Sequence, residues 1–146
     1  MTIVRVMPRG RYRIMVVDSQ PAMRMMICSQ LRGLGYGVLT CAHDGASALV
    51  RLKTEPVDAV LMDVETTGTG GLEALVALRA DPALRHLPVV VITTRAERET
   101  VEASLALGVS GYLIKPPKGA ALGACLGRAL LNAHDPGRTT AVPPAA

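Results

Sequence analysis

The chain has no phenylalanine, no tryptophan and only three tyrosines among its 146 residues. Stacking platforms for single-stranded nucleic acid need aromatic faces, so they are essentially missing. The core has to be assembled from Val, Leu, Ile, Met and Ala, and with 49% hydrophobic residues there is enough of them for one good domain core. Long apolar runs are absent as well, which removes any expectation of a membrane-spanning helix or of membrane insertion. The N-terminal arginines are followed by no continuous apolar stretch, which argues against a signal peptide. The three cysteines (Cys28, Cys41, Cys125) are far apart and form no C-x-x-C pair. They read as buried, reduced thiols in a cytoplasmic protein. His43, His86 and His134 show no ligand spacing, so no zinc is expected. Acidic residues are missing from the first thirteen positions, where Arg5, Arg9, Arg11 and Arg13 stand. Such an arm can touch nucleic acid or acidic lipid. The net charge is +4 and the remainder of the chain is near neutral, so the arm reads as a solvated tail, and nucleic acid is not expected as a partner.

What is present is a regular alternation of short apolar blocks and helical patterns. Ile14–Val17 is a continuous apolar run ending in Asp18; Met23, Ile27, Leu31 and Leu34 then recur at helical spacing until Gly33 and Gly35 break it. A second strand, Val38–Cys41, is followed by Asp44 as the N-cap of a helix ending before Glu55-Pro56. The third strand, Ala59–Met62, ends in Asp63, and the glycine-rich stretch 66–71 is a loop. A helix closed by Asp81-Pro82 leads to the fourth strand, Pro88–Ile92, which ends in Thr93-Thr94. A helix capped by Gly108 precedes the fifth strand, Tyr112–Ile114, ending in Lys115-Pro116-Pro117, and a last helix runs through Leu122 and Leu130. Strands that are apolar throughout belong to a parallel sheet covered on both faces. The expected fold is a doubly wound α/β domain, (βα)5, over residues 12–132, between the basic arm 1–11 and a flexible tail 133–146.

In such a fold the chemistry sits at the carboxyl ends of the strands. Asp18, Asp63, Thr93 and Lys115 all fall there. Two acids, a hydroxyl and an amine on one rim suit phosphoryl transfer. A carboxylate can act as nucleophile and form an acyl phosphate. A Mg²⁺ ion on neighbouring carboxylates and a lysine beside it cancel the repulsion between that carboxylate and an incoming phosphoryl group.

The blocks Met-Val-Val-Asp18, Leu-Met-Asp63, Val-Val-Ile-Thr93 and Gly-Tyr112-Leu-Ile-Lys115-Pro116 resemble the signature blocks of response-regulator receiver domains, including stand-alone, chemotaxis-type (CheY-like) ones. Leu-Gly-Tyr36, the stretch Ala42–Leu49 and Leu84–Pro88 extend the likeness to about Tyr12–Leu131. The resemblance implies the flavodoxin-like strand order 2-1-3-4-5. It implies Asp63 as phosphoacceptor, Asp18, Asp63 and position 65 around Mg²⁺, Lys115 and Thr93 as phosphate-binding groups, and Thr93 with Tyr112 as the switch pair. It further implies a histidine kinase or histidine phosphotransfer protein as donor, and a Lys115-Pro116 bond of the cis type. The chain is then expected to be a single-domain regulator rather than an enzyme, with slow self-dephosphorylation at most. Output would pass to a protein target through the face made by the fourth helix, fifth strand and fifth helix.

The chain departs from the family in places. Ser19 stands where receivers carry a second acid, the direct metal ligand, so a weaker Mg²⁺ site is expected. Glu65 offers a substitute through its carboxylate or its backbone carbonyl; the alternative, a solvent-facing loop residue, stays open. Glu65 and Arg95 are also placed to pair across the opening, with little intrinsic strength if exposed. Thr94 brings a β-branch where the family has a small residue. A second reading follows, a pseudo-receiver that binds partners without phosphorylation. A hydrolase of small phosphorylated substrates is disfavoured because no cap insertion exists, and a nucleotide site because Gly68-Thr69-Gly70-Gly71 lacks the lysine and spacing of a phosphate loop.

Overall fold

Five parallel strands follow directly from five short apolar blocks that cannot satisfy their backbone alone. In the computed structural model, which describes residues 7–64, 71–94 and 98–133, they are β1 (Arg13–Val17), β2 (Val38–Ala42), β3 (Ala59–Asp63), β4 (Val89–Thr93) and β5 (Gly111–Ile114). The helices are α1 (Pro21–Gly33), α2 (Gly45–Leu52), α3 (Gly71–Ala80), α4 (Arg98–Ala106) and α5 (Gly119–Asn132). The sheet order is β2-β1-β3-β4-β5, all neighbours parallel, as the resemblance implied.

Side chains alternate across a strand, so each apolar block feeds two cores. Ile14, Val16, Leu61, Val90, Ile92 and Leu113 pack on one face with Ile27 and Leu31 of α1 and Leu122 and Leu126 of α5. Met15, Val17, Val60, Met62, Val89 and Val91 pack on the other with Ala48 and Leu52 of α2 and Ala74, Leu75 and Leu78 of α3. This two-sided burial is why the strands are apolar without alternation.

Local signals end the elements. Asp44 caps α2, its Oδ1 accepting from the Ser47 amide at 2.7 Å. At the end of α1, Gly33 stays inside the helix instead of breaking it. Gly35, at φ +99°, makes the left-handed turn. The Tyr36 amide returns to Leu31 O (2.9 Å) and the Gly35 amide to Arg32 O (3.0 Å), the Schellman pattern, with Tyr36 and Leu31 both buried. The described part of the basic arm, residues 7–11, is more engaged than a solvated tail. Arg9–Arg11 form a 3-10 turn, Arg9 Nη1 donates to Leu34 O at 2.9 Å, and the guanidinium lies 5.8 Å from the Tyr36 ring centre. Among the described residues no helix is long and apolar enough to cross a membrane.

Candidate functional site

The sheet delivers the polar strand ends to one place. Asp18 follows β1 directly, and its amide continues the ladder to Ala42 O of β2 at 3.2 Å. Its Oδ1 accepts from the Gln20 amide at 2.8 Å, which turns the chain into α1, where Pro21 occupies the first helical position. Arg24, one turn into α1, donates to the Asp18 carbonyl at 2.6 Å. Asp18 is thereby fixed from two sides, and it is fully buried.

Asp63 ends β3 between β1 and β4 and is also buried. Gly71, the first residue of α3, sits so close to it that a Cβ there would overlap the Asp63 carbonyl oxygen and the Val64 Cα. Glycine is required by that approach. From β5, Lys115 extends the ladder through its amide to Thr93 O at 2.8 Å and reaches back over the rim. Its Nζ lies 2.7 Å from Asp63 Oδ2 and 3.0 Å from Asp18 Oδ2. The Lys115–Pro116 peptide is cis. Burial alone would pull the Lys115 ammonium down, but its hydrogen bonds to the two carboxylates and their charge outweigh this and raise its pKa above the ordinary lysine value.

Thr93 closes β4 with only 1% of its surface exposed, and its Oγ1 donates to Thr94 O at 3.3 Å. Tyr112 is half-buried on β5 beside Val91 and packs against the core that α2 and α3 cover. Ser19 is half-buried at the turn after Asp18, and Thr94 is exposed. Glu65 and Arg95 lie outside the described residues, and with them the pairing across the opening. Asp18, Asp63, Thr93 and Lys115 thus gather from four separate strands, as their positions at the strand ends predicted. The sequence pattern does not show the supports of Asp18 from Gln20 and Arg24, nor the approach of Gly71. The glycine run ending in Gly71 is a signal for close backbone approach as well as for a loop; nothing in the sequence singles out Arg24.

Whether this donor set suits a divalent cation follows from its chemistry. Mg²⁺ is held by one or two carboxylates and keeps several waters. Asp18 Oδ2 is buried, makes an ion pair with Lys115 and accepts no well-aligned hydrogen bond. Among the described residues no third His, Cys, Asp or Glu joins it and Asp63 in a metal-sized cluster. The pair fits Mg²⁺ as a site of low ligand charge.

Comparison with known proteins agrees with this geometry. Residues 14–126 match the response regulator receiver domain. The chain is 39% identical over 104 residues to the chemotaxis protein CheY-3 of Vibrio cholerae, covering 71% of this chain and 80% of that protein. It is 38% identical over 104 residues to the chemotaxis protein CheY of Pseudomonas aeruginosa, covering 71% and 84%. Among solved structures, it superposes with a TM-score of 0.74 at 32% identity on the receiver domain of sensor histidine kinase PA1611 from Pseudomonas aeruginosa, covering 82% of this chain and 97% of that one; that structure has a magnesium ion coordinated in its active-site cleft. The chain belongs to the response-regulator receiver family and is a CheY-like receiver domain of two-component signalling.

Proposed function

We propose that Asp63 accepts a phosphoryl group from a histidine kinase or histidine phosphotransfer protein and that its arrival switches a partner-binding face. The observation that carries this reading is the Lys115 ammonium held against both Asp63 and Asp18, where it is placed to neutralise negative charge added to the acceptor. An Asp63 carboxylate oxygen attacks phosphorus. The new O–P bond forms as the bond to the donor breaks, and the donor departs with that electron pair. Lys115 stays paired with the growing negative charge on the phosphoryl oxygens, and Asp18 and the backbone around Gly71 hold the acceptor in place. Asp18 and Asp63, with Glu65 as the sequence suggests, would hold Mg²⁺, which when bound neutralises charge on the transferring group.

For the switch, Thr93 Oγ1 exchanges its bond to Thr94 O for a phosphoryl oxygen, and Tyr112 takes up the space on that side. Among the described residues, α4, β5 and α5 each carry a large exposed apolar residue, Leu105, Ile114 and Leu131, which suits docking of a protein target.

The test is intact-protein mass spectrometry after incubation with acetyl phosphate and Mg²⁺, beside Asp63→Asn and a metal-free control. One phosphoryl adduct that needs both Asp63 and the metal is expected. No adduct on the native chain, with labelling restored by Ser19→Asp, would replace this reading with that of a binding module regulated without phosphate.

A further inference from the structure

From their contact, we infer that Cys28 of α1 and Cys41 of β2 form a redox modification site, closing to an intramolecular disulfide in the presence of a small disulfide oxidant. Their sulfurs lie 3.6 Å apart although the residues are thirteen positions apart in sequence, and both are free thiols. Closure needs the sulfurs to approach to about 2.05 Å. Cys125, the third thiol, is buried under β5, where its Sγ occupies the space that a Cβ on Gly111 would need, so it serves as an internal control.

The two thiols have different access, which orders the steps. Cys28 is buried, whereas Cys41 on the edge strand is half-exposed. Burial, with the hydrogen bond to Cys41, pushes the Cys28 thiol up to about 11, making it the poorer first nucleophile. Cys41 as thiolate attacks one sulfur of the external disulfide and expels one thiolate, leaving a mixed disulfide. Cys28 then attacks the Cys41 sulfur and expels the second. Two protein thiols are oxidised, one external disulfide is reduced to two thiols, and the two protons end on those thiols.

The site is placed to matter. Cys28 lies one turn beyond Arg24, which holds the Asp18 carbonyl, and Cys41 directly precedes Ala42, whose carbonyl accepts the Asp18 amide. A covalent link joins the two supports of Asp18 and draws them together. Resting on the phosphoacceptor reading above, this displaces Asp18 and slows phosphoryl uptake.

The experiment incubates the whole chain with oxidised glutathione, then alkylates it under denaturing conditions for intact mass and peptide mapping. Expected are a loss of two hydrogens in mass, a fall of two in the number of alkylated thiols (three to one in the native chain, two to none in Cys125→Ser) and a linked peptide containing Cys28 and Cys41, all reversed by reductant. Three alkylated thiols, a glutathione adduct that never resolves, or a link to Cys125 would overturn the inference. Because the native chain is mapped directly, no variant has to fold. Labelling by acetyl phosphate is then compared: slower in the oxidised than in the reduced form supports the coupling to Asp18, and equal rates overturn it. No labelling in either form counts against the phosphoacceptor reading alone, since the disulfide is scored by mass.

Discussion

Lys115 Nζ stands 2.7 Å from Asp63 Oδ2, a contact between residues 52 positions apart that joins the end of β5 to the end of β3. Asp18 Oδ2 is 3.0 Å from the same nitrogen, so one ammonium serves two buried carboxylates. Taking away that ammonium leaves two like charges facing each other away from water. Lys115→Met should therefore lose about 3–5 kcal/mol, the range for removing one partner of a buried pair. Urea unfolding at neutral pH measures it. Combining the change with Asp18→Asn removes part of the stranded charge and should recover some of the loss; a double variant no more stable than Lys115→Met would mean that lost packing, not charge, sets the cost.

Gly71 gives a prediction that separates the acceptor's position from its chemistry. Gly71→Ala puts a methyl group into the Asp63 carbonyl and the Val64 Cα, both backbone atoms that cannot turn aside. Overpacking of this kind costs about 1–3 kcal/mol. The displaced backbone carries the acceptor, so the labelling rate should fall even under conditions where circular dichroism and unfolding curves show the variant fully folded. A native rate in a folded variant would show that α3 can shift without moving Asp63.

The strand ends could be read from sequence because parallel strands buried on both faces are apolar throughout. Against Met15-Val16-Val17 or Leu61-Met62 a terminal acid stands out, and the regular spacing of five such blocks gives the layer order. The remaining features depend on how helices dock onto the sheet, which periodicity does not reveal. Gly71 against Asp63, Cys28 against Cys41 and Arg24 on the Asp18 carbonyl are each a meeting of one helix with one strand end. Gly33 and Gly35 show the same limit within a single turn. Both are helix breakers by propensity, yet only Gly35 takes the left-handed conformation, because the Tyr36 ring has to fold back onto Leu31.

Stability should fall in alkaline solution, with separable contributions. Cys28 has an ordinary thiol value of 9.0 when unfolded and about 11 when folded, so the unfolded chain gives up this proton first. Its contribution is whole below pH 9 and is lost as pH rises through that window. Cys125, raised chiefly by burial, acts in the same direction. Lys115 is raised above 10.5, so its contribution is whole below that value and is lost only as pH climbs past its folded pKa. Urea unfolding at half-unit steps should show a decline beginning near pH 9. Cys28→Ala should flatten the early part of the decline, and Lys115→Met the late part. An unchanged early slope in Cys28→Ala would assign the decline to other groups.

Arg79 carries the last prediction. From the final turn of α3 its Nε donates to Leu107 O at 2.7 Å and its Nη2 to Gly108 O at 3.2 Å, both just past the end of α4. Its Nη1 donates to Leu87 O at 2.8 Å and Arg85 O at 3.1 Å, in the segment leading into β4. These carbonyls lie where helix ends and loops leave acceptors without backbone partners. Burial pushes the guanidinium below its ordinary value, so the charge is held partly out of water and repaid only by these bonds. Arg79→Met strands several acceptors at once and should cost about 2–4 kcal/mol, given that hydrogen bonds to charged groups contribute roughly 1.5–3 kcal/mol each and do not add fully. Arg79→Lys keeps the charge but loses the planar fork, so it should regain only part of that stability. Hydrogen exchange locates the effect. The Ser110 amide, bonded to Val89 O at 2.8 Å, should exchange faster in both variants, because the turn that presents it is no longer tied to α3. Full recovery by lysine would show that a positive charge near the end of α4, rather than the fork, is what that corner of the domain requires.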